Sequence, residues 1–245
     1  MISAVVLSHN DQSSIERTLA SLSWAHELIV VDDTSTDETV AQAKKLGATV
    51  YSHALGGDFA SQRNFGLSKA TGEWVLFVDS DEVVSSELAQ EIQLRVKDSD
   101  VQGYFAPRID ILWGRKLTHG EVGGKKLLRL AKKDAGRWMR PVHEVWDVQG
   151  KTGELTFPLL HYPHPDVAQF LFQIDHYSTI NAKYLYAQKK HTAAWQIVGY
   201  PVAKFFVNYF WRLGFLDGMP GAIVAIMMSF HSFLTRAKLY QLRQA

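Results

Sequence analysis

The stretch Glu73-Trp-Val-Leu-Phe-Val-Asp79-Ser80-Asp81-Glu82 constrains this chain more than any other. From Trp74 to Val78 it is continuously apolar and rich in β-branched and aromatic residues, as expected of a strand covered on both faces of a parallel sheet. It ends in three carboxylates: Asp79, Asp81 and Glu82. Open α/β sheets hold ligands beyond the carboxyl ends of their strands, so these acids stand where a ligand would be bound. If the extended conformation persists, Asp79 and Asp81 point to one side and can share a cation. Carboxylate oxygens suit a hard ion, Mg2+ or Mn2+, which in turn binds phosphate oxygens. The simpler alternative is that the acids charge the start of a helix beginning near Ser85 or Ser86.

The same pattern recurs upstream. Residues Ser3 to Leu7 read as an apolar strand ending in Ser8-His9-Asn10, followed by a helix with a Ser13/Glu16 capping box and apolar positions Ile15, Leu19 and Leu22. Glu27 to Asp33 is a second buried strand closed by two acids. Ser35 and Glu38 then suggest a capping box for a helix that stops at Gly47. A short strand at Ala48 to Tyr51 and a helix around Ala60 to Lys69 lead into the central strand. Alternating strands and helices imply right-handed crossovers and a mostly parallel, Rossmann-like α/β sheet flanked by helices. Two strands thus end in acid pairs, Asp32/Asp33 and Asp79/Asp81, on one edge. No GxGxxG follows the first strand and no GxxxxGK[ST] occurs, which argues against a nicotinamide dehydrogenase and a P-loop NTPase.

Composition adds two bounds. With 245 residues and 47% hydrophobic content, the chain can bury a sizeable core, as one large domain or one domain with an appendage. It has no cysteine, so neither disulfides nor thiolate metal sites are available. Its start lacks a basic n-region and a cleavage site, which favours a cytoplasmic location. Charge is uneven: residues 1–100 carry 16 acids against 7 bases, and residues 183–245 carry 8 bases and one acid, Asp217. The acidic part suits a metal; the basic part suits phosphate or an anionic membrane surface rather than nucleic acid.

Taken together, Ser8-His9-Asn10, Val31-Asp32-Asp33-Thr34-Ser35-Thr36-Asp37, Gln62-Arg63-Asn64 and Phe77-Val-Asp79-Ser80-Asp81-Glu82 resemble the family 2 glycosyltransferases of the GT-A fold. The nearer likeness is to the lipopolysaccharide-core glucosyltransferase (WaaE-like) branch, through Val142-His143-Glu144 and the tail element Asp217-Gly-Met-Pro-Gly221. The resemblance implies that Asp33, with Asp32 beside it, binds the uracil and ribose of a UDP-sugar, and that Ser8, His9 and Asn10 line the base. It implies that Arg63 approaches the nucleotide, that Asp79 and Asp81 form the metal-binding Asp-x-Asp pair with Ser80 between them at the nucleotide, and that Glu144 is the general base. His143 and His161 read either as ordinary hydrogen-bonded histidines or, for His161, as a nitrogen ligand to the metal or a diphosphate contact. Glu121 and Asp110 are reserve bases.

The segment from Gly103 to Lys133 is expected to build the acceptor side, its Gly114–Lys116 and Gly120–Lys126 loops being either a mobile lid or a solvated hairpin. After a catalytic domain over 1–165, residues 166–245 read as an amphipathic helical extension. Asp166 caps its first helix, Lys204, Asn208 and Arg212 form a polar stripe on an aromatic cylinder, and Gly221 to Leu234 is an apolar stretch too short to span a bilayer. The extension packs on the domain or a second subunit, or attaches the chain peripherally to the inner face of the cell membrane. The expected activity is metal-dependent, inverting transfer of a hexose from a nucleotide sugar to a lipid-linked saccharide. The alternatives are transfer to a polyprenyl phosphate and a non-catalytic, membrane-associated nucleotide-binding protein.

Overall fold

The structure, a computed structural model, describes residues 1–141, 144–163 and 165–244. The chain forms two compact units, Met1–Arg108 with Lys125–His161, and Ile109–Gly124 with Tyr162–Ala245. The loop segment 109–124, which the sequence placed with the catalytic domain, thus groups with the C-terminal helices.

In the first unit the chain alternates β1 (Ile2–Ser8), α1 (Ile15–Ala20), β2 (Glu27–Asp32), α2 (Thr39–Lys45), β3 (Thr49–Ser52), α3 (Phe59–Lys69) and β4 (Trp74–Asp79). It continues through β5 (Glu82–Val84), α4 (Ser86–Arg95) and β6 (Gly103–Leu112), whose far end belongs to the second unit with β7 (Arg115–Leu117). Strands β8 (Lys126–Lys132), β9 (Gly136–Met139), β10 (Val145–Val148), β11 (Thr152–Glu154) and β12 (Leu159–His161) complete it. The main sheet runs β3-β2-β1-β4-β8-β6-β12-β5. Strands β3, β2, β1 and β4 are parallel, whereas β8 returns antiparallel to both β4 and β6. The α/β reading holds, with a parallel half that carries the acid-ended strands and an antiparallel half that the sequence did not reveal.

The apolar runs explain the layers. Val6, Val30, Leu76 and Val78 face one buried cluster with Ile15, Leu19 and Leu88; Val5, Val31, Val75 and Phe77 face a second with Leu67, Trp138 and Trp146. Alternate residues of each strand thus enter opposite layers. Gly66 sets how closely α3 lies on the sheet: a Cβ there would come within 2.6 Å of Val5 Cγ1 and 3.0 Å of Val31 Cγ2. That approach brings Arg63, one turn earlier, over the carboxyl edge of β4.

Neither expected capping box forms. The backbone carbonyl of Asp11 accepts the Ser14 and Ile15 N–H groups, and Ser35 is drawn onto Asp32 while Asp37 accepts the Thr39 N–H at 3.0 Å. A backbone carbonyl and two aspartate side chains lay nearer to these donors than the partners the spacing suggested. Ser85 caps α4 by accepting the Leu88 N–H, as the sequence indicated.

The second unit contains β7, α5 (Val167–Ala187), α6 (Ala194–Phe206), a π-turn at Val207–Trp211 and α7 (Gly218–Gln244). Asp166 caps α5 by accepting the Gln169 N–H at 2.8 Å. The apolar stretch read as Gly221 to Leu234 lies inside the longer α7. The helical stretch Gly214–Gln244 is long and apolar enough to cross a membrane by length and composition, with 39% of its most apolar window buried within the protein. Val224 and Met227 of α7 pack with Phe170 and Ile174 of α5 around Leu112 and Leu117. The glycine-rich loop after β7 is pinned: buried Asp217 accepts the Thr118 and His119 N–H groups at 3.0 and 2.8 Å, and Glu121 meets Lys204 Nζ at 3.0 Å and Asn208 Nδ2 at 2.8 Å. Neither a free lid nor a solvated hairpin describes this Gly120–Lys126 loop, whereas Gly114–Lys116 lies in the exposed hairpin that joins β6 to β7.

Candidate active site

The register of the parallel half fixes the site. Ser8 lies opposite Asp32, and Leu7 lies opposite Asp79, so β2 and β4 present their terminal acids on either side of the end of β1. At neighbouring-strand spacings of ~4.8 Å, the two acid-bearing ends are roughly 10 Å apart.

On the β2 side, Asp32 is buried and committed to the turn: its Oδ2 accepts the Ser35 N–H at 2.9 Å, and its Oδ1 accepts the Ser35 hydroxyl at 2.5 Å and the Ser8 hydroxyl at 3.4 Å. Asp33 is only partly buried. Its Oδ1 accepts the Leu55 N–H at 2.8 Å, while Oδ2 lies 3.6 Å from His9 Nδ1. His9 Nδ1 also sits 2.6 Å from the Asp33 carbonyl oxygen. Asn10, in the left-handed region at φ 55°, accepts the Thr36 N–H on Oδ1 and ties the first loop to the second. Of the residues expected on this side, His9, Asn10 and Asp33 remain open to a ligand, while Ser8 and Asp32 shape the turn beneath them.

On the β4 side, the extended conformation ends at Asp79. Ser80 and Asp81 form a turn before β5, closed by Glu82 Oε2 accepting the Asp79 N–H at 3.0 Å. The turn gives the two aspartates different partners. Asp79 is gripped by two arginines: Arg63 Nη2 donates to its Oδ1 at 2.8 Å, and Arg129 Nη2 donates to its Oδ2. Burial would raise the Asp79 pKa, but Arg129 and then Arg63 override it and hold the carboxyl far below the usual range. Asp81 instead faces His161, whose Nε2 is 3.2 Å from Asp81 Oδ2. Antiparallel pairing of β12 with β5, which sets His161 opposite Glu82, makes that meeting possible.

Arg63 is buried, and its guanidinium lies 4.6 Å from the Trp138 ring centroid and 5.8 Å from that of Phe77. Its Nε and Nη2 reach Glu144 Oε1 at 3.0 and 2.9 Å. The residue expected to approach the nucleotide therefore connects Asp79 to Glu144. Ser80 turns its hydroxyl onto Asp11 Oδ2 at 2.5 Å rather than outward. Asp110 is buried and, like Glu121, belongs to the second unit. His143 lies outside the described residues.

Three contributors escaped the sequence reading. Arg129 spans Asp79 and fully buried Glu82, the latter at 3.2 Å, and Arg108 Nη1 stands 3.9 Å from the same Glu82 oxygen. Burial and then the negative charge of Asp79 raise the Glu82 pKa, with Arg129 opposing. Asp11 holds Ser80 and accepts the His9 N–H at 2.8 Å, and burial raises its pKa. Arg129 left one signal: an arginine inside the apolar run Leu127-Leu-Arg-Leu-Ala131 implies a buried acidic partner.

No cluster of three or more His, Asp or Glu side chains suited to a metal occurs among the described residues. Asp79 is unsuited to a cation while two guanidiniums occupy it. Asp81 and His161 form an oxygen and nitrogen pair with part of their surface open, which fits an ion that takes its remaining ligands from a bound phosphate and water.

The sequence profile described as glycosyl transferase family 2 matches residues 3–143. The chain belongs to glycosyl transferase family 2, and it is a glycosyltransferase. It is 29% identical to an uncharacterized glycosyltransferase of Rickettsia conorii over 97% of this chain and 89% of that protein. It is 27% identical to the lipopolysaccharide core biosynthesis glycosyltransferase LpsC of Rhizobium meliloti over 98% and 92%. Among solved structures, S. aureus TarS 1–349 in complex with UDP matches with a TM-score of 0.51 at 16% identity, over 99% of this chain and 91% of that one. Glucosyl-3-phosphoglycerate synthase from Mycobacterium tuberculosis in complex with Mn2+, UDP and phosphoglyceric acid matches with a TM-score of 0.50 at 17% identity, over 76% and 77%. These likenesses show the GT-A-like fold.

Proposed function

We propose that this glycosyltransferase moves a hexose from a UDP-sugar to a lipid-linked saccharide of the lipopolysaccharide core class, with inversion and with a divalent ion at the diphosphate. The observation that carries the reading is the pair of partly exposed carboxylates, Asp33 and Asp81, just beyond the ends of the two strands that flank β1. Their separation suits a nucleoside at one end and its diphosphate at the other. LpsC supports the acceptor class, and the UDP and Mn2+ complexes of the two structural relatives support the donor and the ion. A lipid-linked acceptor is met at the inner face of the cell membrane, which puts the enzyme there peripherally.

Asp33 and His9 would face the nucleoside, and Asp81 with His161 would hold Mg2+ or Mn2+. The ion would supply positive charge to the departing diphosphate. Glu144, oriented by Arg63, would accept the proton of the attacking hydroxyl. Arg129 keeps Asp79 and Glu82 compensated beneath the site.

The test is turnover of UDP-sugars with the acceptor, comparing Asp81→Ala and Glu144→Gln. Loss of the base should cost about 10² to 10⁴ in rate, and Asp81→Ala should also weaken Mn2+-dependent UDP binding by calorimetry. Near wild-type rates in both variants would overturn the mechanism. Loss in Asp81→Ala with full activity in Glu144→Gln would move the acceptor to an already ionised phosphate.

A further inference from the structure

Helix α6 shows a large part of its apolar surface to solvent. Two residues of its polar stripe face protein: Lys204 pairs with Glu121, and Asn208, in the π-turn that follows, is 2% exposed and donates to Glu121, while Arg212 at the stripe's end is exposed. Its apolar line faces solvent, with Trp195, Val202, Phe206 and Phe210 recurring at helical spacing, and Trp211 beside them 85% exposed. Phe206 and Phe210 stack at 5.6 Å, and Trp195 stacks on Tyr200 at 5.8 Å, so the rings cluster in two pairs along the face rather than standing singly. A helix bounded by water shows the reverse arrangement, and a contiguous apolar face of this extent marks an interaction surface.

The charge around the face identifies the partner. Residues 176–244 contain eight lysines and arginines and a single acid, Asp217. Asp217 is 3% exposed and spent on Thr118 and His119, so no side-chain carboxylate of this stretch reaches the surface. Lys189, Lys190 and Arg212 are exposed. Trp, Tyr and Phe beside Lys and Arg, with acids withdrawn, match the boundary between headgroups and acyl chains of an anionic bilayer. A second copy of the chain fits less well, because a two-fold contact would set the exposed bases Lys189, Lys190 and Arg212 against their own copies.

We propose that the exposed face of α6 and the π-turn lies in the plane of an anionic membrane, with Phe206, Phe210 and Trp211 entering the interface and Lys189, Lys190 and Arg212 meeting lipid phosphate. The purpose of this contact rests on the lipid-linked acceptor proposed above, but its test does not. The full chain is sedimented with phosphatidylcholine vesicles with and without phosphatidylglycerol, at low and raised salt. The comparison is with Phe206→Ser/Trp211→Ser, whose exposed positions leave the fold intact, as circular dichroism and melting would check.

Binding should need the anionic lipid, weaken with salt, and fall about tenfold or more in the double variant, while UDP-sugar hydrolysis without vesicles is unchanged. Equal binding of both proteins, or none to anionic vesicles, would overturn the proposal. Concentration-dependent doubling of mass in light scattering, abolished by the same variant, would give the face to a second copy. Binding that resists both salt and alkaline extraction would give the attachment to a membrane-crossing helix instead. An enzyme that binds vesicles but turns over no UDP-sugar would sink the catalytic reading alone.

Discussion

Glu82 and Asp217 are both carboxylates withdrawn from water, one in each unit, and the chain stabilises them by different means. Glu82 sits among charges: Arg129 at 3.2 Å and Arg108 at 3.9 Å, with Asp79 sharing the same arginine. Asp217 is held by backbone N–H groups, a hydroxyl and an imidazole, at 2.8 to 3.3 Å. Donors fixed by the backbone position a loop and stay put. Guanidiniums shared among acids set up a local field that responds when another charge, such as a diphosphate or an ion, arrives. The charges around Glu82 border the proposed site, whereas the donors around Asp217 fasten a loop.

The strongest way to break this comparison is Arg129→Met. It leaves Arg63 as the arginine paired with Asp79 and Arg108 as the arginine beside Glu82, and should cost about 3–5 kcal/mol of stability by denaturant titration, together with most of the UDP-sugar turnover. Asp217→Asn is the counterpart. It removes one acceptor oxygen's worth of bonding to the Thr118–His119 segment and should cost about 1–3 kcal/mol, with turnover per folded molecule unchanged. A turnover loss in Asp217→Asn equal to that in Arg129→Met would erase the distinction.

The smallest effect is in pH. Asp79 is held below its ordinary 3.8, chiefly by Arg129 and Arg63 against burial, so its stabilisation is complete above that value and is lost as pH falls through and below it. Glu82 is shifted upward from 4.5 by burial, so the folded state keeps its proton longer and stability from this group declines as pH rises above 4.5. Melting temperature should therefore hold or rise slightly on acidification towards pH 4.5 and drop below 3.8. The drop should flatten in Arg129→Met and persist in Asp217→Asn.

The sequence declared the parallel half of the fold because β1, β2 and β4 are continuous apolar runs that only a sheet covered on both faces explains. It also declared that their acids would meet on one edge. It did not reveal the antiparallel half: β5 and β12 are three residues each, too short for a period to show, and they bring His161 to Asp81. The separation of Asp79 from Asp81 depended on the turn at Ser80, which local spacing did not signal. Arg129 went unread because its partners lie 50 and 47 residues away in sequence. The stripe of Lys204, Asn208 and Arg212 was legible, but Glu121, again far along the chain, turns Lys204 and Asn208 towards protein and leaves Arg212 exposed.

One guanidinium, that of Arg63, touches Asp79 and Glu144 at once. Replacements at those two acids therefore cannot be expected to combine independently, since each changes what the same cation must satisfy. Any lineage that trades the Glu144 carboxylate for other chemistry inherits a surplus positive charge against Asp79, and has to absorb it there before the new chemistry can be refined.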